Sequence, residues 1–379
     1  MQKKIIALAV AGLASTAAFA QSNVTIYGSV DAGYAYRWDA ENKTTGQHSR
    51  SSLDTGASAG NRLGFKGVED LGNGLKAVFL LEQGFSFDGG NSGNAQGGRT
   101  YGRQAYVGLT GGFGTAIAGR LYTPYWTLTS GTDPFAAGTV GQMRNVFSSG
   151  AGLDGLLDPA RVDNAVAYVS PSFGGFDVTV AYANAVSLSD AANQENAGDN
   201  SKNNTVYALL AKYSAGPVMA GFNVHRIAVG STIANTTAKS VDNYTLAGTF
   251  DAKVVKLHAM AQYNVVDSSA VQGDFTGSNY MLGATVPLGK FALKTSVTYS
   301  DFNGDANSSL KGTATQYAFG ADYALSKRTN LYSAYSLIDS SSARAATIMG
   351  MNDAQGNGGV AATGNPFQQG IQVGVRHQF

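Results

Sequence analysis

The chain has 379 residues, no cysteine, 13 % charged residues and a formal net charge of +1. Without cysteine, neither disulfides nor thiolate metal sites can hold the fold together. The near-neutral total gives no broad basic field to draw nucleic acid, and the charged fraction is sparse beside the roughly 25 % of an average soluble domain.

Lys3 and Lys4 precede an apolar run from Ile5 to Leu13, and Ala18-Phe19-Ala20 then offers the small-x-small pattern of a secretory cleavage site. Residues 1–20 are therefore expected to be a signal peptide, and 21–379 a single exported domain. The run is too short to cross a bilayer, and after Leu13 no apolar stretch approaches the ~20 residues of a spanning helix. An exported chain of this kind is secreted, periplasmic or outer-membrane. Removing the two lysines from 26 Lys and Arg leaves 24 against 25 Asp and Glu. The 49 glycines permit tight turns, and the 19 tyrosines carry an apolar body with a polar tip suited to a membrane interface.

Alternation of apolar and polar side chains then predicts sixteen strands. They run Val24 to Arg37, Ser58 to Glu69, Gly74 to Phe87, Arg99 to Thr110, Phe113 to Leu121, Val162 to Ser170, Gly175 to Asn184 and Asn203 to Ser214. The second half runs Pro217 to Val229, Lys239 to Phe250, Lys253 to Val266, Gly277 to Val286, Lys290 to Phe302, Lys311 to Leu325, Arg328 to Asp339 and Phe367 to Phe379. Short connections such as Gly111-Gly112, Ala215-Gly216 and Pro287-Leu-Gly289 alternate with long polar ones such as Ala185 to Lys202 and Ser340 to Pro366. Gly, Pro, Asn and Asp fill most of the short ones, as tight hairpins require.

The faces differ in kind. In the first strand Val24, Ile26, Val30, Tyr34 and Tyr36 oppose Thr25, Ser29, Asp31 and Arg37; Leu63 and Phe65 oppose Arg62 and Lys66. In the last, Ile371, Val373, Val375, His377 and Phe379 oppose Gln372, Gly374, Arg376 and Gln378. One face suits lipid and the other water, because a charge facing hydrocarbon costs about 2–4 kcal/mol at the midplane. An even number of antiparallel strands with short turns at one end and long loops at the other is the pattern of an all-β transmembrane antiparallel barrel of the bacterial outer membrane. A soluble β-sandwich also alternates; strand count, aromatic load and single-domain length stand against it.

Several segments resemble the trimeric general porins of Gram-negative bacteria, in particular the neisserial and β-proteobacterial type. They are Val24-Thr-Ile-Tyr-Gly-Ser-Val-Asp-Ala-Gly33, the stretch from Asn61 to Ala77, Gly102 to Thr115, Ser170-Pro-Ser-Phe-Gly-Gly175 and the terminal Phe379. The resemblance runs from the signal peptide to the last residue, with the long loops least alike. It implies a homotrimer in contact with outer-membrane lipid and lipopolysaccharide, and a terminal aromatic, Phe379, read by the barrel assembly machinery.

Residues 122–161 lack a clear strand pattern, and a connection of that length is usually functional or disordered. Tyr125, Trp126, Phe135, Val146 and Phe147 argue against simple disorder. The stretch resembles the third loop of porins, which folds into the barrel as a constriction, with Asp133-Pro-Phe135 at the place of a similar family triplet. Opposed charges in a narrow pore orient solutes and set ion preference. The expected basic wall is Arg37, Arg62, Lys66 and Arg120; the expected acidic loop residues are Asp133, Asp154 and Asp158. Strict alternation puts Arg103 with Val107 and Leu109, so only a bulge or rim position would bring it inside.

The implied activity is passive diffusion of ions and small hydrophilic solutes, with weak anion preference, and no cofactor. A substrate-specific porin is an alternative, with Tyr122, Tyr125 and Trp126 as a stacking track. An outer-membrane hydrolase has only His48, His225, His258 and His377 as imidazole bases, none in a recognisable motif with Ser and Asp. No catalytic residue is assigned, nor any metal site, since the histidines lack ligand spacing. A secreted lectin or adhesin is the remaining class.

Overall fold

The computed structural model describes residues 23–40, 49–87, 99–147, 159–184, 204–229, 238–268, 274–304, 311–341, 351 and 367–379; the expected signal peptide lies outside them. The first half contains β1 (Asn23–Ala40), β2 (Ser49–Thr55), β3 (Arg62–Gly72), β4 (Leu75–Gly84), β5 (Gln104–Gly111) and β6 (Gly114–Tyr122). Two short helices follow, α1 (Pro124–Thr132) and α2 (Arg144–Phe147), then β7 (Arg161–Val169), β8 (Phe176–Asn184) and β9 (Thr205–Ala215). The second half contains β10 (Val218–Ala228), β11 (Ala238–Asp251), β12 (Lys256–Ser268), β13 (Phe275–Leu288), β14 (Phe291–Gly304), β15 (Gly312–Ala324), β16 (Thr329–Ser340) and β17 (Phe367–Gln378).

From β3 to β17 each strand pairs with its chain neighbour, and β1 closes the ring on β17 in antiparallel register from Ser29↔Gln378 to Ala40↔Phe367. Seventeen elements make a sixteen-strand barrel because β2 and β3 are two parts of one strand. β2 pairs with the second half of β1 (Ala32↔Thr55) and β3 with the first half (Ser29↔Arg62). The strand expected over Ser58 to Glu69 is therefore interrupted at 56–61 and resumes earlier, from Ser49, in a stretch that reads as connection. Closure removes the free edge that an open sheet would expose.

The barrel is apolar outside and polar within. Ile26, Val107, Leu282 and Phe319 stand exposed on the outer face, while Asn223, Asn243, Gln262, Asn279 and Gln316 are buried on the inner one. In lipid every backbone group must be satisfied internally, and a closed ladder does this. No described helix is long and apolar enough to cross a membrane. The buried apolar cluster sits inside the cylinder, where Leu128, Phe135, Val140, Met143 and Phe147 of the inserted loop gather with inward residues such as Met260, Met281 and Ala318.

Candidate pore constriction

The loop after β6 enters the barrel as a folded unit. Thr123 caps α1, its Oγ1 accepting from the Trp126 N–H at 3.0 Å, with Pro124 in the first turn where its missing N–H costs nothing. At the far end the Asp133 carboxylate accepts three backbone N–H bonds, from Phe135 at 2.9 Å, Ala137 at 3.0 Å and Met143 at 3.1 Å. The chain thus winds around one carboxylate. Burial pushes the Asp133 pKa up, and the three N–H donors oppose that rise.

The β9 to β15 side of the barrel is the floor on which this unit rests. Gln262 donates to the Tyr125 hydroxyl at 2.8 Å, and His258 Nδ1 donates to the Thr132 carbonyl at 2.7 Å. Gln316 donates to the Gly141 and Gln142 carbonyls, both at 3.0 Å, and accepts from Asn145 at 2.8 Å. Glycines admit the apolar parts. A β-carbon on Gly283 would sit 2.6 Å from Pro134 Cγ, and one on Gly320 would sit 2.7 Å from Phe135 Cε1.

A cavity of about 420 Å³ lies between the loop and the wall formed by β17, β1 and the strands up to β7. Among the described residues six guanidinium groups line it, from Arg37, Arg62, Arg103, Arg144, Arg161 and Arg376, against one lining carboxylate, Asp54. Arg37 is paired with Asp54, which also accepts from Gln372 at 2.6 Å. Arg103 donates to Glu82 at 2.7 Å and to the Tyr122 hydroxyl at 2.6 Å, and Arg62 lies 3.9 Å from the same Glu82. Aromatic rings hold the other side. Arg161 lies 4.6 Å over Tyr122 and donates to its hydroxyl at 2.8 Å; Tyr122 stacks on Trp126; Arg144 lies 5.1 Å over Trp126.

Of the residues expected at the constriction, Arg37 and Arg62 line the cavity. Lys66 shares the water face but is displaced toward the short-turn end, its ammonium 5.3 Å over the Tyr27 ring, and it is not part of the lining. Arg120 is also outside the lining. The ladder shifts register between Gly119 and Leu121, and Arg120 is drawn to the Gly102 carbonyl at 2.6 Å and to Asp163 at 2.5 Å. Asp133 faces the interior of the loop rather than water, and Asp154 and Asp158 lie outside the described residues. Four lining arginines were not among those expected. Arg103 precedes β5, which starts at Gln104, so strand parity does not govern it. Arg144 and Arg161 come from the stretch without periodicity; Arg376 was legible, on the polar face of the last strand.

A closed antiparallel barrel with an apolar exterior, a polar lumen and an inserted loop that narrows it defines a channel of the bacterial outer membrane. Residues 7–343 match the family described as Gram-negative porin, and the chain belongs to that family. It is 33 % identical over 385 aligned residues to "Outer membrane porin protein 32" of Delftia acidovorans, with 100 % of each chain covered. It is 30 % identical to "Major outer membrane protein P.IB" of Neisseria gonorrhoeae, over 87 % of this chain and 91 % of the other. The solved "Anion-selective porin from Comamonas acidovorans" superposes with a TM-score of 0.73 at 28 % identity, covering 95 % of this chain and 100 % of that one. The protein is an outer-membrane porin.

Proposed function

We propose that this porin passes ions and small hydrophilic solutes by passive diffusion, with weak preference for anions and no covalent chemistry. One observation carries the sign: among the described residues, six guanidinium groups line the cavity against a single lining carboxylate. Rings of fixed charge act at close range in a narrow passage, where water screens them least. The Comamonas acidovorans structure described as anion-selective supports the same sign. Reversal potentials in a salt gradient across planar bilayers test it, and a strongly cation-selective channel would overturn it. Among the expected wall residues, Arg37 and Arg62 carry the role, joined by Arg103 and Arg161; Lys66 and Arg120 set potential only at a distance. Neutral substitution of Arg62 or Arg161 is expected to lower anion preference while the barrel still assembles.

Assembly as a homotrimer, contact with lipopolysaccharide, removal of residues 1–20 and recognition of Phe379 by the assembly machinery belong to the same proposal. Family membership supports them. Cross-linking in native membranes, with a trimer band as the expected result, tests the first. A sugar-specific track is less favoured, because guanidinium groups already cover Tyr122 and Trp126.

A further inference from the structure

The interruption of the second barrel strand has a size that ladder geometry does not require. Between the pairs Ala32↔Thr55 and Ser29↔Arg62, β1 contributes two residues, 30 and 31, while the opposite side contributes six, 56–61. A bulge needs one extra residue; this one has four. The surplus bows into the lumen, and Gly56-Ala-Ser-Ala-Gly60 lines the cavity from the side facing residues 136–140 of the inserted loop. The two segments touch through backbone, Thr139 N–H donating to the Ala57 carbonyl at 2.5 Å. A β-carbon on Gly138 would lie 2.7 Å from the Ser58 carbonyl oxygen.

Asp31 anchors this bow. Its carboxylate is 0 % exposed and accepts from Ser58 N–H at 3.0 Å, Ala59 N–H at 2.8 Å and the Tyr332 hydroxyl at 2.7 Å. Its own N–H donates to Asn61 Oδ1 at 2.6 Å, and its carbonyl accepts from Gly56 N–H at 2.8 Å. Tyr332 reaches Asp31 from β16 across β17 to β1 because Gly374 and Gly33, paired with each other, leave room: a β-carbon on either would fall within 2.5 Å of the Tyr332 hydroxyl oxygen. Charge-assisted bonds of this kind are stronger than neutral ones, and here they fix five small residues that have no side chains long enough to fix themselves.

We propose that residues 56–60 are a second jaw of the constriction, facing the inserted loop, and that Asp31 is the positioning residue that holds it. This rests on the cavity being the conduction path. Asp31 does not meet solutes; it sets how far the backbone of 56–60 projects into their way. Asp31→Asn keeps one acceptor oxygen for the Ser58 and Ala59 N–H groups but removes the charge that strengthens these bonds, and should loosen the jaw. Tyr332→Phe removes one donor and should act in the same direction, more weakly.

The chain has no cysteine, so Ala59→Cys, at a half-buried lining position, gives a single labelling site. In planar bilayers, labelling Ala59→Cys with charged methanethiosulfonates should cut single-channel conductance about twofold, with opposite shifts in ion preference for cationic and anionic reagents. Asp31→Asn should raise conductance by a similar factor, about twofold, with added current noise, while heat-modifiable gel mobility stays that of a folded barrel. Unchanged current and ion preference after full labelling would overturn the second jaw. A folded Asp31→Asn with parental conductance and noise would overturn the role of Asp31. If Asp31→Asn fails to assemble, the current and noise of Tyr332→Phe decide the anchor. A parental channel that conducts separates these outcomes from failure of the diffusion reading itself.

Discussion

Asp133 and Glu82 show two different uses of a buried carboxylate inside a water-filled barrel. Glu82 balances wall cations, with Arg103 at 2.7 Å, Arg62 at 3.9 Å and the Tyr27 hydroxyl donating at 2.8 Å. Removing one partner of a buried charge pair usually costs about 3–5 kcal/mol, because the other is left uncompensated. Glu82→Gln is therefore expected to lower the urea midpoint of the refolded barrel and, in channels that assemble, to strengthen anion preference in reversal-potential measurements. Asp133 instead satisfies three N–H groups of its own loop. Asp133→Ala leaves those donors without their acceptor at about 1–3 kcal/mol each in the worst case. The expected result is a noisier channel with normal heat-modifiable mobility, since no wall hydrogen bond is touched.

At the scale of elements, the proposed function gives conduction to the inserted loop and assembly to the last strand, and each can be tested separately. The loop rests on glycines of β13 and β15, and Gly283→Leu would push Pro134 off the wall at a cost of about 1–3 kcal/mol. Altered single-channel conductance with an intact barrel is expected; unchanged conductance would mean that the loop does not set the passage. The last strand ends on a reciprocal pair of bonds, Phe379 N–H to the Gly28 carbonyl and Gly28 N–H to the Phe379 carbonyl, both 3.1 Å. Deleting Phe379 removes those seam bonds and the outward aromatic ring. Membrane levels of the truncated chain should fall in quantitative blots while the channels that do insert conduct normally; normal levels would contradict an assembly role.

At the scale of the whole molecule the barrel is an inverted protein, and its tolerance to charge is inverted with it. Leu282, 69 % exposed on the outer face in the middle of β13, needs lipid around it. Leu282→Arg should destabilise folding into vesicles by about 2–4 kcal/mol if that position lies at the midplane. Lys66→Gln, on the lumen face, should be close to neutral in the same urea titration. Equal effects of the two substitutions would contradict the placing of Leu282 toward lipid and Lys66 toward water.

Strand number, the two faces and closure into a barrel were all legible in the sequence, because period-two alternation is a local consequence of backbone geometry and repeats in every strand. The same rule put Arg37 and Arg62 on the water face. It failed where the backbone leaves the ladder: at Arg103 before β5, at the register shift beside Arg120, across residues 56–61, and throughout the inserted loop, where Asp133 turns inward. In those places the direction of a side chain depends on contacts between residues far apart in the chain, such as Gln316 with Gly141 and Asp31 with Tyr332. The sequence by itself determined that this chain is a barrel with a polar interior; which charges stand in the passage was decided only by tertiary structure, because non-repeating backbone has no period from which a direction can be read.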